Sequence, residues 1–205
     1  MTEHTMTRRR AATRARILDA AAAVFAEKGL HGATIDDLVT AAGYTRGAFY
    51  SNFDTKEDVF DALFEQQSAY MVDLVREAVE GTPAEEFDLA LITTVLERLR
   101  PAALTWYLIH TEFVLHAMRN EDAGRRLYEH SARFEREFAD VLLLALERLG
   151  RRPRLAPAQL ADVLSSLYLK ALAQEASPGA PPREDFDTIL PTVLLGLSEE
   201  LGPED

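Results

Sequence analysis

The sequence predicts an all-α protein, in which a compact three-helix head is joined by a connecting helix to a larger helical body. Apolar residues recur at helical spacing through almost the whole chain, and strand signals are nearly absent. Glycine and proline residues separate the periodic segments, as they commonly do between helices. The chain has 205 residues, of which 47% are hydrophobic, so it can bury a real core.

The head and the connecting helix occupy the N-terminal part of the chain. Gly29 is expected to end the first helix as a C-cap. Thr34 can cap the second helix, and Asp36 and Asp37 follow in its first turn, where acidic residues complement the helix dipole. Gly43 closes that helix. The four helices are expected over residues 8–28, 34–43, 45–53 and 55–80.

The body is expected to contain five longer amphipathic helices, which makes about nine in the whole chain. Pro101 should separate two of them, because proline lacks the backbone N–H that continues a helix. The most Pro- and Gly-rich stretch, Ser177–Pro182, is expected to be a mobile loop. The five helices are expected over residues 83–99, 101–118, 121–149, 157–176 and 184–201.

Charge is distributed unevenly along the chain, whose net charge is −12. Residues 1–60 contain 8 basic and 8 acidic side chains, whereas residues 61–205 contain 14 basic and 26 acidic ones. Several arginines between residues 8 and 16 precede Asp19. A polyanion could therefore approach only the N-terminal face. The alternative is a basic arm that only keeps the N-terminus in solution.

Composition excludes several classes of protein and site. The chain has no cysteine, which excludes disulfides, thiolate metal sites and cysteine nucleophiles. No charge-free apolar run approaches the ~20 residues that a membrane span requires. The alanine-rich run Ala20–Ala26 is bracketed by Asp19 and Glu27, unlike the uninterrupted apolar core of a secretory signal. A soluble cytoplasmic protein with no membrane partner is therefore expected.

Two short helices separated by a turn that contains Gly43, with a longer helix before them, form the helix-turn-helix arrangement. On a helical wheel at ~100° per residue, Phe49 points to the core and Gly47 faces the opposite way. Arg46 and Tyr50 flank that outward face. Its centre is small and its edges carry hydrogen-bond donors, a combination that suits the major groove of DNA.

Lys56 lies in the first turn of the connecting helix, directly after the cap residue Thr55. A cation is unfavourable there, because the N-terminal end of a helix is already positive. A bound anion such as a DNA phosphate would reverse that balance. The alternative is a lysine that simply extends into water.

The run TIDDLVTAAGYTRGAFYSNFDTKEDVF, residues 34–60, resembles the N-terminal domain of the TetR/AcrR family of transcriptional regulators. The resemblance covers about residues 11–71. It implies a helix-turn-helix DNA-binding domain over residues 11–71 and a C-terminal ligand-binding and dimerisation domain over residues 72–205. The matching features are Thr34, Ala42-Gly43, Thr45-Arg46-Gly47, Phe49-Tyr50, Phe53 and Thr55-Lys56-Glu57, with Arg16 to Ala21, Phe25 and Gly29 upstream.

The resemblance also implies a set of DNA contacts. Tyr50 and Lys56 would hold phosphates, and Thr45 would cap the recognition helix near the DNA backbone. Arg46 and Gly47 would approach bases, since an arginine fork can read guanine. The sequence departs from the family pattern at Tyr44, at Leu38-Val39 and at Asn52, which stands where His or Tyr is more common. The expected DNA-binding residues are Thr34, Thr45, Arg46, Gly47, Tyr50, Asn52 and Lys56.

The segment 101–118 is apolar around nearly its whole circumference, so it should be buried inside the body. Its mixture of aromatic bulk and a few polar groups suits a cavity wall, and the resemblance favours a cavity that binds a small-molecule effector. Glu112 could attract a cationic or hydrogen-bonding ligand, since aromatic faces also favour cations. The alternative is that these aromatics only fill core and that the stripe of Thr105, Glu112 and His116 meets water. The expected effector-binding residues are Tyr70, Phe87, Trp106, Ile109, His110, Glu112, Phe113 and Tyr168.

The last two expected helices, 157–176 and 184–201, each carry an apolar stripe. One interpretation is ordinary internal core. The other, which the resemblance favours, is a four-helix bundle formed with a second copy of the chain. The stripe of the last helix contains Phe186, Ile189, Leu190, Val193, Leu194 and Leu197.

Other chemistry receives little support from the sequence. Glu112 and His116 stand one helical turn apart, which permits joint metal ligation, but no third ligand occurs at local spacing. No glycine-flanked serine marks a nucleophile. We therefore expect no metal, no cofactor and no enzymatic activity.

The residues and the resemblance together favour a ligand-responsive transcriptional repressor that binds operator DNA as a homodimer. An effector in the body would shift the helix near residues 55–80 and change the separation of two recognition helices, which must fit major grooves ~34 Å apart. Whether the effector releases DNA or promotes binding stays open. The alternatives are an all-α small-molecule-binding enzyme and a protein–protein adaptor with a degenerate DNA-binding head.

Overall fold

The computed structural model describes residues 2–180 and 186–202, and the described chain is almost entirely helical, which confirms the all-α prediction. A short 3-10 helix, Ala84–Glu86, precedes α5, and two short strands, β1 (Arg151–Pro153) and β2 (Ser198–Glu200), follow α6 and α8. The α-helices are α1 (Thr2–Gly32), α2 (Ile35–Ala42), α3 (Arg46–Tyr50), α4 (Lys56–Gly81), α5 (Leu89–Ala117), α6 (Glu121–Arg148), α7 (Pro157–Ala176) and α8 (Phe186–Gly196).

The helix break expected at Pro101 is wrong, because α5 continues through this residue. A proline inside a helix removes one backbone hydrogen bond and crowds the preceding turn. Leu99 and Ala103, on either side of it, are both buried. Burial of the flanking apolar residues outweighs the local cost, so two expected helices are one.

The C-terminal end also differs from the expected helix over residues 184–201. α8 ends at Gly196, and β2 pairs with β1 in antiparallel register, with Arg151 opposite Glu200 and Pro153 opposite Ser198. The Arg151 guanidinium donates to the Ser198 hydroxyl at 2.8 Å. Strands of three residues are too short to show an alternating pattern, so no sequence pattern predicts them.

The chain divides into two compact units, which interleave along the sequence. The head unit contains residues 1–67 and 108–128, and the body unit contains residues 68–107 and 129–205. The expected functional boundary between residues 71 and 72 places residues 108–128 in the body. In the structure this segment packs with residues 1–67 and so belongs to the head unit.

Aromatic side chains form the centre of the head unit. Phe25 meets Phe60 edge to face, with ring centroids 5.1 Å apart. Phe113, on α5, contacts Phe60 at 5.5 Å and Phe64 at 5.0 Å in the same manner. Edge-to-face pairs of this kind add to the free energy gained by burying the rings. The segment 108–128 therefore completes the core of the head.

One buried cluster of the body unit is built from α6, α7 and α8. Leu190 and Leu194 are buried against Leu142, Leu160 and other apolar residues of the same chain. For these two leucines, the pairing with a second copy expected from the stripe is wrong, and internal core is the correct interpretation. The side chain of Phe186 lies outside the described residues.

Candidate nucleic-acid interface and ligand cavity

The helix-turn-helix is fixed by side chains that cap its two helices. The Thr34 hydroxyl accepts from the Asp37 backbone N–H at 3.2 Å and donates to the Asp37 carboxylate at 2.7 Å, which closes a capping box. Gly43 ends α2 in the left-handed conformation, with φ 71°. The Thr45 hydroxyl then accepts from the Ala48 N–H at 3.3 Å and caps α3. The expected caps at Thr34 and Thr45 are confirmed.

The outward face of α3 has the form expected from the helical wheel. Phe49 is fully buried, whereas Tyr50 is 54% exposed and its ring lies edge-on to Phe49 at 5.5 Å. Gly47 is exposed, and a Cβ built on it would meet only the Thr45 hydroxyl, at 3.8 Å. Nothing in the fold itself requires glycine there, so this position is free for the close approach of another molecule.

Arg46 is held by Asp36, a residue expected only to complement the dipole of α2. Its Nε and Nη2 donate to the two carboxylate oxygens of Asp36, each at 2.6 Å. The pKa of Asp36 is lowered by the hydrogen bond from Arg46, and the pKa of Arg46 is raised by the same bond. The guanidinium expected to read bases therefore lies in a bidentate pair between α2 and α3.

Lys56 has a structural role that accounts for a cation in the first turn of α4. Its ammonium donates to the carbonyl oxygens of Leu30 at 2.8 Å and Ala33 at 2.9 Å, and to that of His31 at 3.4 Å. These groups lie at the C-terminal end of α1, where helix carbonyls lack partners and cations are favourable. The lysine does not simply extend into water.

Asn52 and Arg14 stabilise the end of α3. The Asn52 amide donates to the Ala48 carbonyl at 2.8 Å, while its own side-chain oxygen is buried and accepts no hydrogen bond from any described residue. Arg14 lies over the Phe53 ring at 4.3 Å, and Arg16 lies 5.6 Å from the Tyr44 ring centroid. Two arginines of the expected basic arm therefore pack against the helix-turn-helix, which the sequence analysis did not identify.

The body unit encloses a cavity of about 120 Å³. Three of the expected effector-binding residues, Phe87, Trp106 and Tyr168, line it. The Trp106 indole stacks on Phe134 at 5.8 Å, and its Nε1–H donates to the Ser68 hydroxyl at 3.0 Å. The other lining residues are Met71, Val72, Val75, Val79, Leu91, Ile92, Val95, Leu96, Leu99, Phe134, Phe138, Leu142, Ala145, Leu164, Ser165, Leu169, Leu190 and Leu194.

The other expected effector-binding residues do not line this cavity. Tyr70 is 49% exposed. Ile109 and Phe113 are buried in the head unit, and the His110 ring lies 5.9 Å from Phe64 there. The expected cavity wall stops near Trp106 because α5 contributes to two cores, and residues beyond 107 belong to the other one.

Glu112 holds the end of α1 rather than facing a cavity. Its carboxylate accepts from the Leu30 backbone N–H at 3.0 Å. At Gly29 the backbone leaves the helix with φ 67°, and a Cβ built there would lie 2.9 Å from the Glu112 carboxylate. The expected C-cap at Gly29 thus marks a real change of direction, after which one further turn ends at Gly32.

In the ranges 2–180 and 186–202, no three His, Cys, Asp or Glu side chains are grouped so that they could hold a metal ion. None of the helices described is both long enough and apolar enough to cross a membrane.

The capped α2–α3 pair behind a longer helix, in an all-helical chain, defines a helix-turn-helix protein. Residues 17–63 match the family described as "Bacterial regulatory proteins, tetR family". The match covers the helix-turn-helix and the start of α4, and it does not extend over the body of the chain.

Two proteins named HTH-type transcriptional repressors match the chain over part of its length. The chain is 30% identical over 135 residues to the HTH-type transcriptional repressor KstR2 of Rhodococcus jostii, a match that covers 65% of the chain and 63% of that protein. It is 42% identical over 65 residues to the HTH-type transcriptional repressor AcnR of Corynebacterium glutamicum, covering 32% of the chain and 35% of that protein. The chain therefore spans less than two thirds of the length of these two relatives.

The fold is also that of solved structures. GusR of Salmonella enterica superimposes with a TM-score of 0.69 at 22% identity, covering 90% of this chain and 94% of that one. At this identity the likeness shows a common fold.

Proposed function

We propose that this protein is a ligand-responsive transcriptional repressor, which binds operator DNA as a homodimer and is modulated by a small-molecule effector. The observation that carries the proposal is the exposed outward face of α3, held in place by the caps at Thr34 and Thr45. The names of KstR2 and AcnR, both HTH-type transcriptional repressors, support it.

In the proposed complex, the outward face of α3 enters the major groove. Arg46 and Gly47 approach the bases, and Tyr50 and Thr45 contact the phosphate backbone. To bind a base, Arg46 must break its bonds to Asp36. Until then the bidentate pair keeps the guanidinium at the start of α3. Thr34, Asn52 and Lys56 already make bonds within the head unit, so their phosphate contacts would form beside those bonds or in place of them.

The proposed dimer forms through α7 and α8. On α8 it uses residues other than the apolar stripe that was expected to meet a second copy. Leu190 and Leu194 point into the chain's own core, whereas Thr188, Thr192 and Gly196 are exposed on α8. These three residues recur every four positions and so share one helix face. Their small side chains would let a helix of a second copy approach closely.

The proposed effector occupies the body cavity. α4 contributes residues to its wall, including Met71 and Val75, and begins at Lys56 beside the helix-turn-helix. A ligand that shifts α4 would change the separation of two recognition helices in a dimer. We place the protein in the cytoplasm, without a cofactor and without an enzymatic activity.

The proposal is tested by footprinting the purified protein on the DNA upstream of its own gene. The parent should protect a two-fold symmetric site. Arg46→Ala should lose discrimination between this site and unrelated DNA several-fold, because a base contact is removed. Gly47→Ala should weaken binding while leaving the fold intact, because its methyl group fits the protein but not a closely approaching groove.

Arg98→Ala is the matched control for Arg46→Ala, because it removes the same charge from an exposed position in the body unit. It should protect the site as the parent does. Equal footprints for Arg46→Ala, Gly47→Ala and the control would show that α3 does not read DNA.

A further inference from the structure

The body cavity is lined by residues of one chemical kind. None of its described lining side chains carries a charge, and nearly all are aliphatic or aromatic hydrocarbons. An ion transferred from water into such surroundings without a partner is strongly disfavoured. Charge is therefore the first property that this wall selects against.

The few polar atoms in the wall have little capacity left for a ligand. The Trp106 N–H is used by Ser68. The Ser165 hydroxyl donates to the Asp162 carbonyl at 3.1 Å, which leaves only its oxygen lone pairs. Burial raises the pKa of Tyr168 to about 12, so this phenol is neutral at neutral pH. Ser165 and Tyr168 are one helical turn apart on α7, so the weak polarity is confined to one wall.

Size narrows the ligand class further. The cavity measures about 120 Å³. An engineered cavity of ~150 Å³ with a comparable apolar lining stays dry and binds benzene. The available space thus suits a single small ring or a short branched hydrocarbon.

We infer that the body cavity binds a small, neutral, hydrocarbon-rich molecule of about the size of one ring, and that it rejects ions of the same size. The role of this molecule as an effector rests on the proposed function, whereas its binding does not. This ligand class differs from the cationic or hydrogen-bonding ligand expected from Glu112, whose carboxylate is bonded to Leu30 in the head unit.

The test uses three probes that share a ring, namely toluene, benzoate and benzylammonium, with the full chain in the absence of DNA. Binding is followed by Trp106 fluorescence, since this residue is the only tryptophan and lines the cavity, and by the shift in Tm. Toluene should saturate both signals, and both ions should bind at least ~100-fold more weakly. Absence of saturable toluene binding, or equal binding of either ion, would overturn the inference.

A cavity-filling variant locates the binding. Ala145→Leu extends a side chain from α6 into the cavity and should weaken toluene binding at least ~10-fold. Ala132→Leu is the matched control, because Ala132 lies on the same helix and does not line the cavity. Toluene binding that survives in a folded Ala145→Leu variant would place the ligand elsewhere. If that variant does not fold, the probe series on the parent still decides the inference.

The two proposals fail in different ways. Saturable toluene binding by a protein that protects no DNA would support the ligand class and overturn the proposed function. A normal footprint with no saturable toluene binding would support the proposed function and overturn the ligand class.

Discussion

Lys56 shows how one side chain can stabilise the start of one helix and the end of another. Its ammonium is bonded to carbonyls at the end of α1, while Thr55 and Asp58 cap α4 around it. The Thr55 hydroxyl accepts from the Asp58 N–H at 3.1 Å, and the Asp58 carboxylate accepts from the Thr55 N–H at 2.8 Å. The α1–α4 junction of the head therefore depends on a charge that the sequence analysis assigned to DNA.

We expect Lys56→Met to destabilise the protein by about 1–2 kcal/mol, because charge-assisted hydrogen bonds to backbone carbonyls are lost. Methionine keeps most of the apolar stem. Urea unfolding measures the change, and Lys170→Met, at an exposed position on α7, should leave the midpoint unchanged. An unchanged midpoint together with a weaker salt dependence of DNA binding would instead favour phosphate contact as the role of Lys56.

Gly29 is constrained twice, by its conformation and by its neighbour. Its φ of 67° is strained for any residue with a side chain, and Glu112 occupies the space of a Cβ. We expect Gly29→Ala to lower the free energy of unfolding more than Gly43→Ala does. Gly43 has a similar φ of 71°, but a Cβ built there would meet no other atom. Gly81→Ala has neither constraint and should be neutral or stabilising, by up to ~1 kcal/mol.

Thermal unfolding of these three alanine variants measures that order directly. If Gly29→Ala is no less stable than Gly43→Ala, then the contact with Glu112 adds nothing to the strain of the backbone.

His110 should give the protein a pH-dependent stability. Burial lowers the pKa of His110 in the folded protein below its ordinary value near 6.5. At a pH between these two pKa values, the unfolded chain binds a proton at this residue and the folded chain does not. The free energy of unfolding should therefore fall as the pH drops below about 6.5. His110→Gln should reduce the dependence of the unfolding free energy on pH. Urea unfolding between about pH 7.5 and about pH 5, the range in which histidine titrates, measures this change. A slope identical to that of the parent would assign the acid sensitivity to other groups.

At the scale of elements, the sequence predicted best what neighbouring residues decide. The caps at Thr34 and Thr45 were predictable because each hydroxyl bonds to a backbone N–H three residues away. The continuation of α5 through Pro101 was not, because it depends on packing against residues distant in sequence. The same holds for the cavity wall. Periodicity showed that the segment 101–118 is apolar around nearly its whole circumference, but it could not show that Trp106 and Phe113 lie in different cores.

The outward face of α8 can be tested separately from its buried face. Thr192 is exposed, so Thr192→Arg should leave the protomer folded and separate the proposed dimer into monomers. Leu194 is buried in the protomer core, so Leu194→Arg should unfold the body, because a charge is buried without a partner. Sizing chromatography and circular dichroism distinguish the two results. A folded dimer of Thr192→Arg would move the interface away from this face of α8.

At the scale of the whole molecule, the charge changes near residue 60, close to the first boundary between the two compact units at residues 67 and 68. The acidic excess lies after residue 60, whereas the N-terminal arginines and Arg46 lie before it. Binding to a polyanion through the head should therefore weaken steeply as salt rises, since released counterions drive such binding. The sequence predicted this division, because charge can be counted without knowing the fold. It could not predict that residues 108–128 join the head, because that depends on contacts of Phe113 that are distant in sequence.

The place of Phe113 in the head unit has a consequence for how the protein is made and divided. During synthesis the head cannot close its aromatic core when residue 71 has emerged, because the ring that covers Phe60 and Phe64 follows some forty residues later. A fragment cut at residue 71 would expose those two rings to water. The segment that ends at residue 71 is therefore not a transferable module, and a chimaera that exchanges only this segment would inherit an open apolar face.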